Sequence, residues 1–276
     1  MVTKSRGKTV CMYIISIPQP FFERIFSAST AFLSCGPNAT KVRSLPSEIF
    51  IAFPIEKTGY FPAKKILSVG NPIRKEILNG SKKEAKKIFG LTGEKPIILI
   101  LGGSQGAQRI NDTLLIILSD ILEKFEIIHQ TGQANFEQVK KEAEVVMADD
   151  LKNYYHPTPF LNEAELAVAF QAADLIISRA GAGTIFEIAA VGKPSILVPL
   201  FEAAQNHQVK NAYAFAESGA ALVIEEANFK PHFLLERLKY IFSWPERLKQ
   251  MEKKAKDFSR PEAATVIVNY IIEYLS

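Results

Sequence analysis

The chain has 276 residues, 47% of them hydrophobic and 22% charged, with a net charge of +4 from 33 basic and 29 acidic side chains. That supplies apolar material for one large domain or two medium ones. The basic excess is too mild for nucleic acid, which asks for a concentrated basic face, although a weak attraction to an anionic membrane surface is compatible with it.

Two cysteines, Cys11 and Cys35, form no CxxC pair and no Cys/His cluster, so neither a disulfide framework nor a structural zinc site is expected. No run approaches the ~20 apolar residues of a membrane span. The opening "MVTKSRGKTVCMYIISIPQP" has the basic-then-apolar order of a signal peptide. Pro18 and Pro20 then follow without a small-residue cleavage site, so a cytoplasmic protein is the expectation.

The first 95 residues yield few elements. Val10–Ile17, Ser47–Pro54 and Lys64–Pro72 read as strands and Phe21–Cys35 as a helix, with no glycine-rich loop among them. From Pro96 the pattern becomes regular. "PIILILGG" reads as a buried strand, "AQRINDTLLIILSDILEKF" as one amphipathic helix, and "EIIHQTG" as a second strand before a charged helix through Met147. "DLIISRAG", "PSILVPL" and "AALVIEE" complete five strands, with helices over "GTIFEIAAVG", which Gly192 stops, and "NHQVKNAYAFAESG". Beyond Phe229 the chain is helical in three segments punctuated by Pro245 and Pro261. Short apolar strands alternating with helices indicate a doubly wound parallel α/β sheet, in which ligands sit at the carboxyl ends of the strands.

Three unusual loops fall at such ends. In "GGSQGAQ", Gly102 and Gly103 allow close backbone approach, and Ser104 and Gln105 precede a helix whose N-terminus favours an anion. The same glycines would equally serve a plain strand-to-helix turn. In "SRAGAGTIFEIAAVG", Gly181 and Gly183 open a second loop into a helix, and Arg179 is a cation whose burial calls for an anionic partner. Glu187 suits the paired hydroxyls of a ribose, or is simply an acid near a helix start. In "FEAAQNHQVKNA", Asn206, His207 and Gln208 begin a helix with side chains that donate to and accept from sugar hydroxyls.

Taken together, "GGSQGAQRIN", "SRAGAGTIFEIAAVGKPSILVP" and "NHQVKNA" resemble the signature stretches of MurG-type transferases of glycosyltransferase family 28, and "SEIFIAFPIEKTGYFPAKKILSVGNPIR" resembles the passage between their two domains. The resemblance covers about residues 43–276. It implies the GT-B fold, with residues 1–75 as a remnant of the acceptor domain and linker, 76–258 as a Rossmann-like UDP-sugar-binding domain, and 259–276 as a C-terminal helix packing back on the N-terminal part. It implies inverting transfer of N-acetylglucosamine from UDP-N-acetylglucosamine to the lipid-linked muramyl-pentapeptide of peptidoglycan synthesis, at the inner face of the cell membrane. The implied donor contacts are Arg74, Ser104, the backbone of Leu161, the loop Ala182, Gly183, Thr184, Ile185, Phe186 and Glu187, and Gln208. Gly102, Gly103, Gln105, Arg179 and His207 support them.

The match is incomplete. The glycine-rich loop GGTGGH and the HEQN stretch of the family's first domain are absent, and Gln108 stands where the family usually has arginine, with Arg109 beside it. A curtailed acceptor domain, through truncation, a shifted start or a genuine split, is the expectation, with a UDP-sugar-binding half of a split transferase or a non-catalytic remnant as the alternatives, and no catalytic base is assigned. "MADD" at Met147–Asp150 is not a DxD motif, so neither a metal nor any cofactor besides the donor is expected.

Overall fold

The computed structural model describes residues 2–5, 8–11, 49–53, 66–103, 106–201 and 207–275. The helix expected over Phe21–Cys35 lies outside them. β1 (Val2–Ser5) and β2 (Lys8–Cys11) pair antiparallel, and β3 (Ile49–Ile51) and β4 (Ile66–Ser68) pair parallel. A 3₁₀ turn at Lys75–Leu78 leads to α1 (Lys82–Phe89). The Ser81 hydroxyl caps α1 by accepting the Glu84 N–H, and Gly90 closes it in the left-handed conformation, φ 69°.

A six-stranded, wholly parallel sheet then follows. Its chain order is β5 (Ile97–Leu101), α2 (Gln108–Ile116), α3 (Leu118–Leu122), β6 (Glu126–Gln130), α4 (Phe136–Val146), β7 (Tyr155–Thr158) and α5 (Glu163–Ala172). It continues through β8 (Leu175–Ser178), α6 (Ala182–Val191), β9 (Ser195–Leu197), α7 (His207–Glu217) and β10 (Ala221–Val223). The strands lie in the order β10-β9-β8-β5-β6-β7. Leaving β5, the chain builds β6 and β7 on one side and then returns to β8 on the other. Between β5 and β8 lies the topological switch point, where doubly wound sheets bind ligands.

Alternation along the strands sorts the core into two halves. Ile97, Leu99 and Leu101 face a cluster with Ile128, Ile176, Leu197 and residues of α5, α6 and α7. Ile98 and Ile100 face the other, with Ile127, Ile177, Ile196 and α2, α3 and α4. Both faces are covered, so the strands read as continuous apolar runs. Each such buried Leu, Ile or Phe contributes about 1.5–3 kcal/mol.

Two expectations need correction. The sheet has a sixth strand, β7, and with α5 it forms a further strand–helix unit. The helix expected over residues 107–125 is broken at Ile117 (φ −111°, ψ 14°) into α2 and α3. The C-terminal segments are α8 (Pro231–Phe242), α9 (Pro245–Phe258) and α10 (Ala263–Leu275). Pro231 and Pro245 stand at the first helical positions, where a missing N–H costs nothing. Tyr270 of α10 meets Phe50 of β3 edge-on, ring centroids 5.3 Å apart.

Candidate functional site

The loop leaving β5 is held from both sides. The Gly102 N–H donates to the Gln130 carbonyl at the end of β6 (3.1 Å), and the Gln130 carboxamide donates to the Gly103 carbonyl (3.3 Å). Gly106 is required on two counts: its φ is +78°, and a Cβ there would lie 2.4 Å from both the Thr131 carbonyl and the Asn135 amide. Gly103 also has positive φ, +80°, but faces open space. Ser104 and Gln105 lie outside the described residues.

At the end of β8, Gly181 starts α6 without any side-chain cap. The Ile185 N–H donates to the Gly181 carbonyl (3.0 Å), which leaves the N–H groups of Ala182, Gly183 and Thr184 without intrahelical partners. The stretch Ala182–Glu187 is therefore the opening of a helix rather than a loop. Within it the side chains divide. Ile185 and Phe186 are buried in the core, and Phe186 meets Phe53 (5.1 Å) and Phe258 (5.4 Å), so these two pin α6 rather than face the cavity. Glu187 turns the other way. Its two oxygens accept from Arg74 Nε (2.7 Å) and Nη2 (2.8 Å) in a bidentate pair. The hydrogen bond to Glu187 raises the Arg74 pKa against the opposing effect of desolvation.

Arg74, Thr184 and Glu187 line a cavity of about 250 Å³ together with Leu101, Gly103, Gln130, Ser178, Arg179, Leu166, Leu161 and Phe160. It sits at the switch point, where β5 and β8 end. Phe160 is exposed at 51%, while Leu161 behind it is buried. Asn162 then caps α5 in a reciprocal box with Glu165.

Arg179 lines this cavity, yet its anionic partner is internal. Glu226 Oε1 accepts from Nη2 (2.6 Å) and the Val198 carbonyl from Nη1 (3.2 Å), so burial of this cation requires no ligand. His207 and Gln208 open α7 and are not part of the cavity lining. The Gln208 side chain accepts the Leu200 N–H (3.1 Å), stapling the segment after β9. Two residues that sequence reasoning missed matter here. Gln130 lines the cavity, and Asn211 of α7 donates to the Ala180 carbonyl (3.2 Å), fixing the turn into α6. A polar residue closing an apolar strand was the available signal for Gln130. Among the described residues no group of three or more His, Cys, Asp or Glu is placed to hold a metal ion.

The family model for the glycosyltransferase family 28 C-terminal domain matches residues 97–267. The chain belongs to glycosyltransferase family 28.

Among its family 28 relatives is the UDP-N-acetylglucosamine--N-acetylmuramyl-(pentapeptide) pyrophosphoryl-undecaprenol N-acetylglucosamine transferase of Caldanaerobacter subterraneus subsp. tengcongensis. It is 40% identical over 213 residues, 76% of this chain and 57% of the relative. A protein of the same name from Thermodesulfovibrio yellowstonii is 38% identical over 81% of this chain and 60% of its own length. The solved structure of Acinetobacter baumannii MurG superposes with a TM-score of 0.64 at 30% identity, covering 83% of this chain and 60% of that one. The chain thus spans 57–60% of the length of these relatives. The α/β, doubly wound, Rossmann-like organisation is that of the family 28 C-terminal half, and the cavity lies wholly inside the matched region except for Arg74.

Proposed function

We propose that this chain holds UDP-N-acetylglucosamine as the donor for inverting transfer of N-acetylglucosamine to the lipid-linked muramyl-pentapeptide of peptidoglycan synthesis. What carries the reading is the cavity at the switch point, which is lined by Thr184 from the uncapped first turn of α6 and by the Arg74–Glu187 pair. Uracil lies against the backbone of Leu161, the pyrophosphate meets the free amides of Ala182–Thr184, and Glu187 accepts from the ribose hydroxyls. An acceptor hydroxyl attacks the anomeric carbon as its bond to the UDP oxygen breaks. The leaving pyrophosphate gains negative charge, which oriented amides and the Arg74 guanidinium stabilise without reorganising. Gln208 and Ser104 complete the sugar and phosphate contacts once the donor is bound.

The experiment is calorimetry of the folded chain with UDP, UDP-N-acetylglucosamine, ATP and NAD. UDP and the nucleotide sugar are expected to bind, and ATP and NAD not to. A folded sample that ignores UDP overturns the proposal.

One observation favours a narrower role, that of a donor-binding half working beside a separate acceptor domain. Glu187 is the one carboxylate lining the cavity among the described residues, and it is already paired with Arg74. That leaves no group there to receive the acceptor's proton. Restoration of transfer by an added acceptor-domain fragment distinguishes this role. No helix among the described residues is long and apolar enough to cross a membrane. On this reading the chain meets the inner membrane face peripherally, through its lipid-linked acceptor.

A further inference from the structure

Behind the loop that follows β5 runs a buried chain of polar groups, none of which is among the residues lining the cavity. His129, the next-to-last residue of β6, is fully buried and points to the α2 face of the sheet. Its Nδ1 lies 2.8 Å from the Tyr155 hydroxyl and its Nε2 3.1 Å from Asn111 Oδ1. The Asn111 amide nitrogen donates to the Thr131 carbonyl (3.1 Å), which also accepts from Asn135 (3.2 Å). These contacts settle the direction of every bond. With its NH₂ committed to a carbonyl, Asn111 presents its oxygen to His129, so Nε2 carries the ring proton. Nδ1 is then the acceptor, and the Tyr155 hydroxyl donates to it. Burial, which holds the imidazole neutral by lowering its pKa to about 3, agrees with this assignment.

The chain of bonds Tyr155–His129–Asn111–Thr131 ties the first turns of α2 to the carboxyl end of β6. Gly102 and Gly103 are anchored to the same strand end through Gln130. We propose that His129 and Asn111 are positioning residues for donor binding, a fixed neutral link that sets the angle at which Gly102, Gly103 and the N-terminus of α2 face the phosphates. This role presumes the donor site proposed above. It assigns to the histidine no proton transfer and no contact with substrate.

A positioning role is separable from a merely structural one because it falls on the phosphates and spares the base. The full chain and its His129→Phe, His129→Gln and Tyr155→Phe variants are titrated with UDP and with uridine. His129→Phe is expected to raise the Kd for UDP about tenfold while leaving that for uridine unchanged. His129→Gln, whose amide still donates toward Asn111, is expected to recover most of the loss. Tyr155→Phe, a smaller change, gives the same selective pattern more weakly and serves if His129→Phe does not fold. Equal losses for UDP and uridine, or no loss in a folded variant, overturn the role. So does nitrogen NMR of the imidazole showing the proton on Nδ1. A wild-type chain that binds neither ligand removes the donor reading and this role with it.

Discussion

The Arg74–Glu187 pair is lopsided: the arginine side chain is 41% exposed and the glutamate 8%. Truncating the two partners should therefore have unequal effects. Arg74→Ala strands a buried carboxylate and is expected to cost about 1–3 kcal/mol of stability. Glu187→Ala releases a guanidinium that can turn to water, and should cost no more than about 1 kcal/mol. For UDP affinity Glu187→Ala is expected to lose about 1–3 kcal/mol if the proposed hydrogen bonds to the ribose form. Urea unfolding and calorimetry on both variants check this, and equal stability losses would contradict it. A second residue-scale expectation concerns acid. His129 is neutral in the fold to about pH 3, whereas a free imidazole titrates near 6.5. Between those values the unfolded chain binds the extra proton, so the contribution is complete above about pH 6.5 and is lost as pH falls toward 3. Glu126 adds to the acid limb only at lower pH. Desolvation raises its pKa, but the Thr92 and Gly93 N–H groups, His156 and the Thr92 hydroxyl together outweigh that and leave it lowered. Unfolding free energies measured from pH 7 to about 4.5 should fall less steeply in His129→Gln than in the wild type. Parallel slopes would rule out His129 as the source.

At the scale of elements, two glycines separate stability from binding. Gly106→Ala meets the Thr131 backbone and a positive φ at once, and is expected to destabilise by about 1–3 kcal/mol. Gly183, near the start of α6, has no atom within 4 Å of the place a methyl group would take. Gly183→Ala should leave stability unchanged or raise it by up to about 1 kcal/mol, while weakening UDP binding by crowding the free amides. Thermal unfolding with and without UDP reads both, and a Gly183→Ala variant that binds normally would place the phosphates elsewhere. The contrast also shows what the sequence makes legible. Strands such as "PIILIL" and "DLIIS" announce themselves because both faces are buried, and the turn after "PIILIL" does so because Gly103 and Gly106 take positive φ, which few other residues tolerate. β7 does not. It is a four-residue edge strand, Tyr155–Thr158, carrying a proline that only an edge accommodates. α5 is equally quiet: Leu166–Phe170 are all buried, so no polar stripe marks a helical period. The site was legible as residue types at strand ends, whereas partners distant in sequence were not. Nothing in "SRAG" reveals that Arg179 is satisfied by Glu226, or in "GNPIR" that Arg74 reaches across 113 positions to Glu187.

At the scale of the molecule, binding and turnover should come apart. On the proposed reading Arg74 and the first amides of α6 stabilise a leaving pyrophosphate, but among the described residues the cavity's one carboxylate is tied to Arg74 and no histidine lines it. Positioned general-base catalysis is typically worth ~10²–10⁴-fold, and holding the acceptor beside the donor contributes further. Both depend on groups outside this cavity. The chain on its own is therefore expected to bind UDP-N-acetylglucosamine as readily as its full-length relatives, while transferring sugar to the lipid-linked acceptor at least ~10²-fold more slowly. A radiolabelled transfer assay tests this against the Caldanaerobacter relative, whose length this chain spans by 57%. Adding the N-terminal domain of that relative as a separate fragment should raise the rate without altering donor affinity. Full transfer by the lone chain would mean that its residues supply an acceptor site and a base outside the cavity, and would move the search for them to the first half of the sequence.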